Sequence, residues 1–188
     1  DYTICYYRQD FGRLNADKDG YGVPRSKSIQ TTPAHQLALA AVYYSPLQYM
    51  YWYDKPSDAQ DEPELKFFDD VYTTWDDTKV LQGEVGEFIT IARRKGEEWF
   101  IGSITNNEAR ALSVNLDFLP EGKNYIAEIY TDGDTSVKTR TKVRASAYRV
   151  SNKTRLNFCL KASGGSAVRL VPDDGNMKSV KNYKQQRL

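Results

Sequence analysis

The chain has 188 residues, of which 40% are hydrophobic, enough to bury one large core or one modest core with an appendage. Lys and Arg number 26 against 25 for Asp and Glu, and this net charge of +1 excludes the strongly basic field that gathers nucleic acid or anionic lipid. The chain also lacks an apolar run of about 18 residues, so we expect a soluble globular protein with no nucleic-acid and no membrane partner.

The start of the chain indicates a piece of a longer protein. It begins at Asp1 rather than Met and enters an aromatic run, residues 2–7, without a basic and apolar leader. The residues that follow, up to 31, are rich in Asp, Gly, Arg and Ser, which predicts a long loop with little regular structure. Cys5 and Cys159 lie too far apart in sequence to indicate a disulfide framework or a metal motif.

One stretch of this loop, residues 15–20, matches the opening of a calcium-binding loop. It reads Asn-Ala-Asp-Lys-Asp-Gly, in which alternate oxygen side chains converge on the ion and a glycine makes the sharp turn. Ser26 stands where the closing bidentate glutamate is needed, and flanking helices are not predicted. A solvated loop tip explains the same residues, so we assign no metal ligand in this chain.

A helix is predicted to begin after Thr32, which suits the N-cap, with Pro33 at the first helical position. Its apolar residues recur at helical spacing and include many alanines, which favours close packing against a neighbouring element. Ser45-Pro46 should end or kink it. His35, the only histidine of the chain, lies in the first turn, where a structural hydrogen bond is favoured over a catalytic role.

Two further helical segments are predicted before residue 70. One covers Pro46 to Trp52, and a short one opens at Glu62-Pro63-Glu64 and runs to Phe68 or Asp69. The aromatic residues near the first of these could form a platform for sugar rings, although a seal at a domain junction is the favoured role. These residues are Tyr49, Tyr51, Trp52 and Tyr53.

From residue 71 onward the apolar spacing changes from helical to alternating, with turn signals at short intervals. We therefore divide the chain into residues 1–70, a β domain over 71–172, and a polar tail over 173–188. Eight short strands separated by such turns favour an antiparallel two-sheet sandwich. The predicted strands cover residues 79–82, 87–93, 99–104, 111–116, 124–130, 141–144, 155–160 and 167–170.

Acidic residues occur in close pairs along the chain, and a glycosidase needs two carboxylates held a set distance apart across the scissile bond. Neighbouring acids on a strand or loop usually point to opposite faces or into water, so adjacency does not supply that geometry. The pairs are Glu62/Glu64, Asp69/Asp70, Asp76/Asp77, Glu84/Glu87 and Glu97/Glu98. We assemble no catalytic site from them.

An ordered set of motifs over nearly the whole chain resembles the C-terminal part of glycoside hydrolase family 97. The run Thr-Thr-Pro-Ala-His-Gln-Leu-Ala-Leu at 31–39 and Tyr-Ser-Pro-Leu-Gln at 44–48 are similar to its last barrel helices. Phe-Phe at 67–68, Thr-Trp-Asp-Asp-Thr at 74–78, Ala-Arg-Arg at 92–94, Trp-Phe-Ile-Gly-Ser-Ile-Thr at 99–105, Phe-Leu-Pro-Glu-Gly-Lys-Asn-Tyr at 118–125 and Ser-Gly-Gly at 163–165 are similar to its C-terminal domain. Tyr72 departs from the family, in which a proline is common at that point.

The resemblance implies a mainly β fold: a C-terminal antiparallel β-sandwich preceded by the last helices and loop of a (β/α)8 barrel. It implies that the parent protein is an exo-acting α-glycosidase, of the α-glucosidase or α-galactosidase type, which acts on oligosaccharides in the periplasm or outside the cell. Inverting members use glutamates around a calcium ion, and retaining members use an aspartate nucleophile. Those residues lie upstream of Asp1, so this chain alone is expected to be inactive, with no catalytic residue, no metal ligand and no cofactor.

Asp1-Tyr2-Thr3 resembles a stretch of the family that follows a late barrel strand, so Asp1 and Tyr2 are the candidates for substrate-side contacts. In the parent enzyme the loop up to about Ser28 would help to wall the active-site mouth. The partners implied are the oligosaccharide, the remainder of the barrel and an N-terminal domain.

Two other functions stay open, a free-standing carbohydrate-binding module and a protein-interaction module. The first would stack sugars on Trp52, Tyr53 or Trp75. The enzyme hypothesis instead predicts a broad apolar face on the helices of residues 33–68, left exposed for the rest of the barrel.

Overall fold

A computed structural model of the protein describes residues 2–4, 31–45, 50–52, 62–177 and 179–184. Most of these residues belong to antiparallel strands, and helices are few and short. The elements in chain order are β1 (Tyr2–Ile4), α1 (Pro33–Val42), β2 (Met50–Trp52), a 3-10 helix (Pro63–Leu65), α2 (Lys66–Asp70), β3 (Asp77–Glu84), β4 (Phe88–Lys95), β5 (Glu98–Thr105), β6 (Arg110–Asn115), β7 (Asn124–Asp132), β8 (Val143–Ser151), β9 (Arg155–Leu160) and β10 (Gly165–Pro172).

Strands β3 to β10 form two sheets. Six of them make one antiparallel sheet in the order β3-β4-β5-β10-β7-β8, and β6 pairs with β9 in a second, two-stranded sheet. The eight strands predicted from the alternating pattern are all present, and the predicted mainly β, antiparallel fold is confirmed. The strand predicted over residues 141–144 is β8, which begins at Val143 and is much longer, because it continues to Ser151.

The main core fills the space between the two sheets. One set of alternating residues on the long sheet, among them Trp99, Ile101 and Val168, packs against Leu112 and Phe158 of the short sheet, and all five are less than 5% exposed. Side chains alternate between the two faces of a strand, so the remaining residues of the long sheet point to its opposite face.

That opposite face carries a second core, beneath α1 and α2. Leu37 and Ala41 of α1 and Phe67 of α2 pack with Phe100 of β5 and Ala167 of β10. The central strands are therefore covered on both faces. This explains why β5 and β10 are nearly continuous runs of buried residues rather than the half-buried alternation of a sheet with one wet face.

Helix α1 begins as predicted, since the Thr32 side chain accepts a hydrogen bond from the backbone N–H of His35 at 3.2 Å and Pro33 is the first helical residue. It ends at Val42, with Tyr43 already extended, so the helix stops before Ser45-Pro46 is reached. The short helical segment after Glu62 is also present, as the 3-10 helix followed by α2.

The helical segment predicted over Pro46 to Trp52 is wrong at its C-terminal end, because Met50–Trp52 is strand β2. This strand pairs in parallel with β1, with Tyr2 opposite Met50 and Ile4 opposite Trp52. The stretch is rich in aromatic residues, which favour strands as much as helices, and the pairing partner lies too far away in sequence for local spacing to indicate it.

The exposed apolar helix face that was predicted is not found on α1. All residues from Pro33 to Ala41 are buried within this chain, and Ile4 of β1 belongs to the same core as Ala34 and Leu37. A helix in which eight of ten residues are apolar offers little surface suited to water, so burial on several sides is its stable arrangement. None of the helices in the described ranges is long and apolar enough to cross a membrane.

Part of the predicted polar tail packs on the sandwich. The backbone N–H of Arg149 donates to Lys181 O at 2.8 Å, the N–H of Tyr183 donates to Arg149 O at 3.0 Å, and Asn182 bridges to β8. The Arg149 guanidinium also binds Asp173 at 2.5 Å. The division of the chain at residues 70 and 172 stays a prediction.

Candidate functional site

The residues predicted to lie on the substrate side are only partly described. Asp1 lies outside the described residues, and Tyr2 is described through its backbone, which belongs to β1. The calcium-like loop at residues 15–20, with Ser26, also lies outside them. Within the part of the chain that the structure describes, no group of three or more His, Cys, Asp or Glu side chains converges as a metal site.

His35 has a structural environment in the first turn of α1. Its Nδ1 lies 3.1 Å from the carbonyl oxygen of Gly164, in the turn between β9 and β10, and the imidazole is 9% exposed. Burial lowers the pKa of His35 below its usual 6.5, although the hydrogen bond to Gly164 and the charge of Asp132 oppose that shift. The neutral ring, with Nδ1–H donating, therefore ties the start of the helix to the sheet.

The other end of α1 is bound by Arg93 of β4. Its Nε donates to Ala41 O at 2.6 Å, one terminal nitrogen donates to Val42 O at 3.1 Å, and the other donates to Thr78 Oγ1 at 2.9 Å. Burial lowers the pKa of Arg93 from its usual value, and the ring of Tyr44 lies 5.0 Å from the guanidinium. A cation at the C-terminus of a helix complements both the unpaired carbonyls and the helix dipole.

Between its two ends, α1 lies directly on the backbone of the sheet at two glycines. A Cβ atom on Gly102 of β5 would come within 2.5 Å of Ala38 O, and one on Gly165 of β10 would come within 2.6 Å of the His35 Cα. Neither glycine has an unusual φ, so both are required by this close approach rather than by backbone conformation. Helix α1 can therefore pack this closely on the sheet only because both positions are glycine.

The acidic pairs do not come together as catalytic carboxylates in the described residues. Each described pair contains a carboxylate held by a basic or polar partner of its own, and two of these contacts are in the segment before α2: Glu62 binds Arg140 at 2.8 Å and Glu64 accepts from Thr141 at 2.6 Å. The other pairings are Asp76 with Gly96 N–H and Lys95, Glu87 with Arg110, and Glu97 with Lys123. The hydrogen bond from Gly96, and then Lys95, lower the pKa of Asp76.

One larger ionic cluster, formed around Arg169 of β10, fastens α2 to the sheet. Its Nε lies 2.8 Å from Glu98 of β5, and a terminal nitrogen lies 2.6 Å from Asp70 of α2 and 3.6 Å from Glu128 of β7. Burial disfavours the charge, but the hydrogen bond to Glu98 and the surrounding carboxylates raise the pKa of Arg169 above its usual value. Lys66 also contacts Asp70 and Glu128, so two cations neutralise most of the charge of three carboxylates.

Trp75 is not a free platform for sugar stacking. Its ring packs at 5.5 Å from Phe100 and edge-on at 6.3 Å from Tyr72, within the second core. Of the other two proposed platform residues, Tyr53 lies outside the described residues and Trp52 is described through its backbone in β2. Trp75 therefore does not supply the flat exposed ring that the carbohydrate-binding hypothesis assigned to it.

The described surface carries an open apolar groove of ≈ 540 Å³ where the β3–β4 hairpin meets the end of β5. We call it the hairpin groove. Its apolar lining consists of Val80, Val85, Phe88, Ile89 and Ile104, and its polar lining includes Glu84, Glu87, Thr105 and Asn106. Pairing places Val80 opposite Ile91, and Ile89 opposite Ile104, on the face of the sheet that also carries α1.

A β-bulge shapes this groove. The register of β3 shifts between Val80 and Gln82, so that Leu81 packs on the main core while Val80 stays on the outer face, 66% exposed. The groove was not predicted from the sequence. The residue that could have indicated it is Val85, which is apolar although it lies in the turn Gly-Glu-Val-Gly, where a polar residue is usual.

Comparison with known proteins identifies the family. The family described as "Glycosyl-hydrolase 97 C-terminal, oligomerisation" matches residues 74–171. A retaining alpha-galactosidase of Bacteroides thetaiotaomicron is 34% identical over 180 residues, which cover 90% of this chain and 27% of that protein. A glycoside hydrolase family 97 enzyme from Pseudoalteromonas sp. strain K8, solved in complex with acarbose, superposes with a TM-score of 0.70 and 36% identity over 78% of this chain and 23% of that one.

The chain thus spans about a quarter of the length of the relatives that it matches. A beta-arabinopyranosidase structure, with a TM-score of 0.61 and 22% identity, shares the fold. The resemblance seen in the motifs is therefore confirmed. This chain belongs to glycoside hydrolase family 97 and corresponds to the C-terminal part of its members.

Proposed function

We propose that this chain is the C-terminal part of an exo-acting α-glycosidase, of the α-galactosidase or α-glucosidase type, and that it supports the enzyme rather than performing the chemistry. The observation that carries the proposal is the 34% identity to a retaining alpha-galactosidase over 90% of this chain. The described acidic pairs agree with a supporting role, because each contains a carboxylate that holds a structural contact. Catalysis would belong to residues outside this chain.

The proposal includes an architecture in which residues 1–70 complete a (β/α)8 barrel. The parallel pairing of β1 with β2, with α1 between them in sequence, supports it, since parallel neighbours joined through a helix are the repeating unit of such barrels. Helix α1 is attached to the sheet at His35, Gly102 and Arg93. Through these contacts the sandwich would stabilise the barrel. Because α1 is covered within this chain, the proposal does not rest on an exposed helix face.

The proposal also includes self-association, which the description of the matched family supports. The parent enzyme would act on an oligosaccharide in the periplasm or outside the cell, with Asp1 and Tyr2 near the substrate side. Calcium would belong to the parent if it is an inverting member. The described residues do not fit a calcium site, so no step of the reaction is assigned to the metal here.

The experiment compares this chain with the longer protein that contains it. Both are incubated with p-nitrophenyl α-galactoside and p-nitrophenyl α-glucoside, and release of nitrophenol is followed. We expect hydrolysis by the longer protein and none by the chain alone. Turnover by the chain alone would contradict the supporting role, and saturable binding of galactosides or maltooligosaccharides by the chain alone would favour a carbohydrate-binding module instead.

A further inference from the structure

We propose that the hairpin groove is the contact through which two copies of this chain associate. This rests on the self-association included in the proposed function, and it adds the surface that performs it. Of the apolar lining, Phe88 packs against the main core, whereas the other four residues belong to neither core. Its most exposed residues, Val80 and Val85, are among the few large apolar side chains that the described surface leaves in water.

The two most exposed side chains of the groove, Val80 and Val85, are left largely in water by the described residues. Val85 is fully exposed at the tip of the hairpin, and Val80 points outward from an edge strand where a charged residue would protect the sheet better. Exposed apolar residues that are clustered, rather than scattered, mark a binding surface. Ile89 and Ile104, which pair across β4 and β5, form the half-buried floor beside them.

The shape of the patch favours a second copy over a different partner. A twofold contact uses the same patch on both molecules, so the patch must present both a protruding part and a receiving part. Here the protruding residue, Val85, and the receiving floor, Ile89 and Ile104, are adjacent. With the twofold axis passing close to the hairpin, each Val85 would enter the groove of the other copy.

The chemistry of the lining favours a protein over a sugar as the occupant. Recognition of sugar hydroxyls requires convergent polar groups and a free stacking ring, whereas the lining is mainly aliphatic. Its one aromatic residue, Phe88, packs against the main core, with the guanidinium of Arg110 4.9 Å over its ring. The polar residues lie at its margin, where Glu87 is already paired with Arg110 at 2.9 Å. An apolar centre with a polar rim is the usual anatomy of a contact between proteins.

The groove is too small to be a whole interface, since a stable one buries about 800 Å² on each partner. It would be the centre of the contact, where a few desolvated side chains supply most of the affinity. Substitution of a central residue should therefore weaken association strongly, while substitution of an equally apolar residue elsewhere should not.

Sedimentation velocity of the 188-residue chain, over about 1 to 200 μM, tests this directly. We expect the chain to approach twice its mass of 21.5 kDa as its concentration rises. Val85→Asp and Val80→Lys should each raise the dissociation constant at least about tenfold, because both bury a charge in an apolar contact. Met177→Asp is the matched control, since it places the same charge on an exposed apolar residue of the tail, and it should leave association unchanged.

Hydrogen–deuterium exchange supplies an independent measurement. Backbone amides of residues 80–89 should exchange more slowly at high concentration than at low concentration, and this difference should vanish in Val85→Asp. The groove proposal is overturned if the chain associates but neither substitution weakens it, or if Val85→Asp instead destabilises the longer protein, which would place the groove against another part of the parent. A chain that stays monomeric throughout would overturn the self-association in the proposed function itself.

Discussion

The Nε of Arg93 lies 2.6 Å from the carbonyl oxygen of Ala41, so a side chain of strand β4 closes the C-terminal end of helix α1. Arg93 is 3% exposed, and the described residues place hydrogen-bond acceptors around it rather than a carboxylate. The charge is therefore stabilised by helix carbonyls and by the ring of Tyr44. This contact joins two segments that are about fifty residues apart in sequence.

Replacing Arg93 with Met should lower the free energy of unfolding by about 3 kcal/mol, because the helix carbonyls lose their donors while remaining buried. Urea denaturation followed by tryptophan fluorescence measures the change. Arg94→Met, at the next position and on the opposite face of β4, is the control and should change stability by less than about 0.5 kcal/mol. Equal effects of the two substitutions would contradict a capping role.

Replacing Gly102 with Ala should lower the free energy of unfolding by about 1–3 kcal/mol, since the new Cβ would lie 2.5 Å from Ala38 O and α1 would have to move away from the sheet. Gly122→Asn is the control, because Gly122 has open space around it and a positive φ that Asn tolerates. A stabilised Gly102→Ala variant would show that the helix is not held against β5 as described.

Acidification should destabilise the protein through His35. Burial lowers its folded pKa below the unfolded value of 6.5, so the neutral ring contributes stability that is complete above pH 6.5 and is lost as the pH falls through the folded pKa. The variant His35→Asn keeps a donor near the position of Nδ1 but does not titrate. We expect the stability difference between wild type and variant to shrink from pH 7.5 towards pH 5, measured by urea denaturation at each pH. A difference that is independent of pH would exclude this linkage.

Replacing Arg169 with Met should lower the free energy of unfolding by about 2 kcal/mol, because three carboxylates would remain close together with only Lys66 beside them. Adding Asp70→Asn should restore part of the loss by removing one negative charge. A double-mutant cycle measures this coupling, for which we expect at least about 0.5 kcal/mol. Additive effects would show that Arg169 and Asp70 do not act together.

Local patterns predicted much of this fold. The alternation of apolar residues and the turn residues located all eight strands of the sandwich, and Thr32-Pro33 located the start of α1, because these features depend on neighbours in sequence. The strand at Met50–Trp52 was not predicted, because its partner, β1, lies almost fifty residues away. The extent of β8 was also missed, since its alternation is mostly half-exposed and weak.

The functional assignment came from the order of motifs along the chain rather than from local physical patterns. Motif order identified the family, whereas the acidic pairs did not indicate catalysis, because adjacency in sequence does not supply the geometry of two opposed carboxylates. Gly102 was visible as a glycine in a predicted strand, a signal of close backbone approach, but the element that approaches it could not be inferred. Gly165 lay outside the strand predicted over residues 167–170 and gave no such signal. The hairpin groove required the bulge at Leu81, which depends on the register between β3 and β4.

The contact of the tail with Arg149 limits how the long sheet can grow. A sheet with two free edges can add a strand at either side, and repeated addition leads to fibres. In the described part of this chain, residues 181–183 already occupy the outward backbone groups at Arg149, near the C-terminal end of β8. An added strand therefore cannot pair with β8 at that position, whereas the hairpin of β3 and β4 carries no such contact in the described residues. The short polar tail thus acts as a guard on one edge of the sheet.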